Sequence, residues 1–122
     1  MVEFIKIVSE KGGCTKFIVH ARKAFLKGLN PKQNRTIPPL KYDWVFQLKE
    51  LFPHLNFVIN GGFSSVDKVN EILQENHPMN KQKYLRLEGC MSGRLAMNTP
   101  WAVAKIDREV FGDLTSDTPT RE

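Results

Sequence analysis

No stretch of this 122-residue chain is a long apolar run; none exceeds four or five residues, far short of the roughly 18 to 20 that a membrane span needs. The N-terminus, MVEFIKIVSEKGG, lacks the basic segment and apolar core of a secretory signal. Cysteine is scarce: Cys14 and Cys90 build no disulfide framework, and their use fits a reducing compartment, cytoplasmic or organellar. With His20 and His77 they match no zinc-ligand spacing, so a metal site is not expected. Both cysteines read as small, buried apolar residues rather than activated nucleophiles. The chain is also too short for a whole (β/α)8 barrel, which takes about 250 residues.

Acidic residues are missing from one long segment. Between His20 and Tyr42 there are six basic residues (Arg22, Lys23, Lys27, Lys32, Arg35 and Lys41) and no Asp or Glu. Over the whole chain 18 Lys and Arg stand against 13 Asp and Glu, a net charge of +5. Clustered positive charge suits a polyanion, because each neutralised phosphate releases counterions. A plain solvated loop would look the same by charge alone.

What is present is a globular composition, 41% hydrophobic with 25% charged residues, and an alternating pattern. Phe4, Ile5, Ile7 and Val8 predict a helix over 2–11, ended by Gly12-Gly13. KFIVH at 16–20 reads as a strand buried on both faces. A basic loop follows, closing on TIPPL at 36–40, where paired prolines forbid helix. Asp43 is placed to cap a helix over 44–52, with Val45, Leu48, Leu51 and Phe52 on one side. A second buried strand spans 55–59. Ser64 or Ser65 then caps a helix to about residue 74, with Val66, Val69, Ile72 and Leu73 inward. Residues 75–84 read as a loop and 87–91 as a third strand. From Pro100 an amphipathic helix runs to Phe111, and the tail after Gly112 is polar. One domain over 1–112 with a disordered tail over 113–122 is the expectation.

Strand–helix units in series imply a parallel sheet with right-handed crossovers, with function at the carboxyl ends of the strands. Those ends carry His20, Asn60-Gly61-Gly62 and Gly93-Arg94. Glycines let a backbone approach a ligand closely, exposed N–H groups favour an anion, and a guanidinium can grip phosphate with two hydrogen bonds. Two successive strand ends of this kind build the common phosphate site of (β/α)8 barrels. A tight turn at 60–62 and a packing histidine at 20 are the bland alternatives.

The run HARKAFLKGLNPKQNR at 20–35, with IPPL at 37–40, FPHL at 52–55 and INGG at 59–62, resembles the flavin-dependent tRNA-dihydrouridine synthases. It is most similar to the A-type subgroup, which acts in the tRNA D-loop around position 20. The likeness covers about residues 4–112. It implies an FMN-binding (β/α)8 barrel that reduces a tRNA uridine with NADPH, a flavin and a cysteine proton donor. It also implies roles for residues of this chain. His20, Asn60, Gly61, Gly62, Gly93 and Arg94 would contact FMN, while Lys32 and Arg35 would touch tRNA. A splayed uridine held for chemistry fits base-modifying enzymes in general.

The three strands correspond on this likeness to the sixth, seventh and eighth of the barrel, so the chain is expected to be a partial (β/α)8 α/β fold. The family's proton-donor cysteine, its flavin-contacting lysine, its first strand and its C-terminal helical domain have no counterpart here, and no catalytic residue is assigned. HPMNKQKYLRL at 77–87 is longer than the family's link at that point. Three expectations follow: weak or no FMN binding by residues 1–122 alone, no reduction without the missing half, and self-association through open strand edges. A non-catalytic half-barrel that binds RNA or phosphate is the alternative reading, and a split enzyme completed by another polypeptide is a third.

Overall fold

The computed structural model describes residues 1–75, 77–81, 85–115 and 120. Helix α1 (Val2–Gly12) leads into strand β1 (Lys16–His20). Gly13, at φ 66°, closes α1 by donating its N–H to Ser9, and its left-handed conformation favours glycine. A short helix α2 (Pro31–Asn34) interrupts the basic loop before α3 (Tyr42–Leu51) and β2 (Asn56–Asn60). Then come α4 (Val66–Leu73), β3 (Gly89–Met91), α5 (Gly93–Asn98), a 3-10 turn (Pro100–Lys105) and α6 (Ile106–Glu109). The strands form one parallel sheet in the order β1-β2-β3, with Phe17 beside Phe57 and His20 beside Asn60, which in turn neighbours Met91. No helix among the described residues is long and apolar enough to cross a membrane.

Sequential order with parallel pairing puts all the crossovers on one side. Phe17 and Val19 on β1, with Phe57 and Ile59 on β2, face that side and are buried against Ile5, Val45, Phe46, Leu48, Val69 and Ile72. The Phe17 and Phe57 rings stack at 5.8 Å. This corrects the expectation of strands buried on both faces. Side chains alternate across a strand, and the other face leaves Ile18 58% and Met91 47% exposed, because no described element covers it. A singly wound sheet with helices on one face and a bare second face is the layout of a barrel segment.

Several boundaries differ from the sequence expectation, each for a local reason. Asp43 lies inside the first turn of α3 rather than capping it, and Lys41 at the N-cap offers no side-chain bond. Leu51 is exposed, and Lys49 takes the buried place instead. Ser65 is the cap of α4, accepting the Lys68 N–H at 3.3 Å. The third strand begins only at Gly89, since Leu87 is drawn into the core and Glu88 turns toward β2. Phe4, Ile7 and Phe111 are exposed, so the outer helices bury less than their patterns suggest. In the expected loop at 75–84, residues 76 and 82–84 lie outside the described residues, but His77 is buried and stacks on Phe46 at 5.2 Å. Of the expected tail, 113–115 form a turn in which the Asp113 carboxylate accepts the Thr115 N–H at 2.9 Å. Residues 116–119, 121 and 122 lie outside the described set.

Candidate functional site

The carboxyl ends of β1 and β2 meet in a small hydrogen-bonded knot. Ala21 N–H donates to the Asn60 carbonyl at 2.8 Å, and Lys41 N–H donates to the Ala21 carbonyl at 2.7 Å. The segment returning from TIPPL therefore lies directly against the strand ends. Arg22 fastens it: its guanidinium donates to the Pro38 carbonyl and, at 3.4 Å, to the Thr36 carbonyl. Lys23 sits over the Trp44 ring, 5.5 Å from its centre. Two of the six basic residues thus hold the fold together.

The basic loop itself is ordered by its neutral residues. Asn30 accepts the Gln33 N–H and Gln33 accepts the Asn30 N–H, both at 2.9 Å, forming a reciprocal cap on α2. Asn34 accepts the Phe25 N–H at 2.7 Å and donates back to the Phe25 carbonyl at 2.9 Å. Lys32 and Arg35 remain exposed on and just after this helix. A short capped helix with Lys32 and Arg35 exposed thus interrupts the basic loop expected from the sequence.

Gly61 and Gly62 turn the chain after β2 at φ 127° and 78°. A Cβ on Gly61 would stand 2.9 Å from Leu40 and 3.1 Å from the His20 ring; one on Gly62 would stand 2.5 Å from Leu40 and 3.1 Å from the Tyr42 hydroxyl. Side chains therefore pack beneath the turn, which must present bare backbone. Gly93 is different: its φ is not positive, and a Cβ there would meet nothing within 4 Å. The backbone does not require glycine at 93, and α5, which it opens, has only six residues.

Charge links the rim. Burial, followed by the Arg22, Arg35 and Arg94 guanidinium charges, holds the His20 imidazole below its ordinary 6.5. His20, Asn60, Gly61, Gly62, Arg35 and Arg94 are accordingly brought to one rim. No contact ties Lys32 to them among the described residues, and Arg35, assigned with Lys32 on the sequence, sits electrostatically with His20. Beside this rim, burial pushes the Cys90 thiol up to about 11 despite its contact with the Ser92 hydroxyl at 3.8 Å. That thiol is protonated at neutral pH.

A sign follows for pH. With its folded pKa depressed, His20 contributes stability that is present above 6.5 and lost as pH falls through the lower folded value. An NMR titration of its ring protons should give a midpoint below 6.5, and the phosphate dianion should move it upward by offsetting the arginine charges. A midpoint at or above 6.5 without phosphate would remove the three-arginine field.

Sequence reasoning missed Tyr42 and Leu40, which underlie the glycine turn, and the anchoring job of Arg22. Only the short distance from IPPL to Tyr42 hinted at the first two, and spacing alone gives no direction in space.

The sequence model of the dihydrouridine synthase family (Dus) matches residues 1–121. Among individual proteins, the tRNA-dihydrouridine(20/20a) synthase of Vibrio vulnificus (strain CMCP6) is 47% identical over 112 residues, covering 92% of this chain and 31% of that protein. The one from Vibrio parahaemolyticus serotype O3:K6 (strain RIMD 2210633) is 44% identical over 122 residues, 100% of this chain and 33% of its own length. That of Escherichia coli (strain K12) is 46% identical over 117 residues, 96% and 31% respectively. The chain spans about a third of the length of the curated relatives it matches.

Proposed function

The chain belongs to the dihydrouridine synthase family, and from that premise we propose that it serves the reduction of uridine to dihydrouridine in the D-loop of tRNA, as the flavin-phosphate side of a (β/α)8 barrel. On this reading β1, β2 and β3 take the sixth, seventh and eighth places in the barrel, and the bare sheet face with Ile18, Val58 and Met91 looks into it. The observation that carries the reading is the Gly61–Gly62 turn at the end of β2, whose positive φ values and close packing on Leu40, Tyr42 and His20 admit only glycine and leave bare backbone exposed.

These residues fit FMN. Leu40, Tyr42 and the His20 ring, packed beneath Gly61 and Gly62, leave no room for a Cβ, so the turn is bare backbone, which suits close approach of a phosphate. Arg94 supplies positive charge within electrostatic reach of His20, and His20, kept neutral, can offer a hydrogen bond without adding a further charge. Asn60 joins them at the end of β2. Gly93 leaves room beside Arg94, although its conformation does not demand glycine. Bound FMN would supply the hydride-transfer chemistry between NADPH and the uracil ring. This chain's own residues hold the phosphate end, position it at the strand ends and present positive charge to the nucleic acid.

Lys32 and Arg35, exposed around the capped helix α2, are the tRNA contacts. Changing both to Ala should weaken binding and flatten the dependence of log K on log salt by about two counterions; an unchanged slope returns the loop to an ordinary solvated surface. The reaction is tested in the same series. Cells deleted for the reading frame that encodes the chain should lack dihydrouridine in the D-loop, with restoration by the unaltered frame and weaker restoration by the double variant. Unchanged dihydrouridine in the deletion overturns the proposal.

A further inference from the structure

Tyr42 reaches the glycine turn from below. Its hydroxyl donates to the Gly61 carbonyl at 2.6 Å, and its ring stacks on Phe63 at 5.3 Å with 12° between the planes. One side chain thereby fixes both flanks of the Gly61–Gly62 peptide. In a planar trans peptide the C=O and the N–H point in opposite directions. A Gly61 carbonyl held against Tyr42 therefore sends the Gly62 N–H away from Tyr42, to the outer side of the turn. Among the described residues nothing accepts that N–H.

We propose that Tyr42 is a positioning residue: its hydroxyl orients the Gly61–Gly62 peptide so that the Gly62 N–H is presented to the phosphate of the bound ligand. The inference rests on the phosphate-site reading above and adds the residue that sets the site's direction. Without the hydroxyl, nothing else described bonds the Gly61 carbonyl, and glycines at φ 127° and 78° have wide freedom to rotate the peptide. Burial first, then the neighbouring Cys90, raises the Tyr42 pKa, so the hydroxyl remains a donor throughout the neutral range. Its neighbours reinforce the placement. Leu40 lies beneath both glycines, and the Lys41 N–H is tied to the Ala21 carbonyl, so the backbone on the N-terminal side of Tyr42 is anchored to β1.

The test is Tyr42→Phe, which keeps the ring and its stacking on Phe63, in the full 122-residue chain. The probe is inorganic phosphate, followed through backbone amide shifts of Gly61, Gly62 and Phe63, with thermal unfolding as a check on folding. The unaltered chain should show a saturable shift centred on the Gly62 amide. Tyr42→Phe should keep its overall spectrum and bind phosphate about threefold to tenfold more weakly, the loss expected for one neutral hydrogen bond, with the Gly62 shift diminished most. Tyr42→Leu, which also loses the stacking, should lower thermal stability as well, separating packing from orientation. If Tyr42→Phe binds phosphate as tightly as the unaltered chain, with the same Gly62 shift, the positioning role is wrong and the phosphate site stands. If the unaltered chain shows no saturable shift, the phosphate site is wrong and the proposal falls with it. If Tyr42→Phe unfolds, a purely structural role is shown and the proposal is overturned.

Discussion

Gly61→Ala should destabilise the chain by about 2–3 kcal/mol, read as a lower urea midpoint at unchanged slope. Most of that comes from the backbone. A φ of 127° lies outside even the left-handed region that other residues visit, so alanine must either strain or rotate the peptide. The steric part is smaller. The nearest atom, Leu40 Cδ2 at 2.9 Å, is the end of a side chain that can swing, whereas the His20 ring at 3.1 Å is held by the end of β1. Rotating the peptide would also break the Tyr42 hydrogen bond and displace His20. The imidazole titration should therefore shift in Gly61→Ala, and phosphate binding should be lost. Gly93→Ala is the control: with open space and an ordinary φ, its stability should stay within about 0.5 kcal/mol of the unaltered chain. If Gly61→Ala also remains within that margin, the turn is a tolerant one and the cradle argument fails.

The contrast between the two glycines shows where the sequence was legible. The pattern KFIVH gave β1 to the residue, and Val66, Val69 and Ile72 gave α4, because period and capping are local signals. Strand order and the gathering of His20, Asn60, Gly61 and Gly62 on one rim followed from the series of strand–helix units. Partners across the chain were not legible. Nothing near Tyr42 announces that its hydroxyl meets Gly61, 19 residues on, and nothing near Lys49 announces Glu88, 39 residues on. Charge sorted Arg22 with the polyanion contacts, but carbonyl oxygens at Thr36 and Pro38 claim its guanidinium. The face that a strand leaves bare was equally hidden, because Ile18 is as apolar as the buried Val19 beside it.

The second large effect lies at the opposite end of the sheet. Lys49→Met should lower stability by about 2–3 kcal/mol. Lys49 is only 5% exposed, and its ammonium donates to the Leu55 carbonyl at 2.8 Å, the Pro53 carbonyl at 3.2 Å and the Glu88 carboxylate at 2.6 Å. The other oxygen of that carboxylate accepts the Phe57 N–H at 2.6 Å, so the pair joins the end of α3 to the start of β2 and the approach to β3. Methionine fills the stem's volume but removes every one of those donors. Breaking a fully buried pair costs more, but the Glu88 side chain is 31% exposed and water can take over part of the lost bond. Glu88→Gln should cost about 1 kcal/mol, and the double variant less than the sum, since the two side chains form one network. Additive losses would show that the contact carries no coupling. The network sits at the amino ends of the strands, where barrel folds concentrate stability, whereas His20, Gly61 and Gly62 sit at the carboxyl ends, where they concentrate function. Lys49→Met should consequently lower the urea midpoint while leaving the His20 titration and phosphate affinity unchanged under folded conditions. A shift in either would mean that the two ends of the sheet are mechanically coupled through β2.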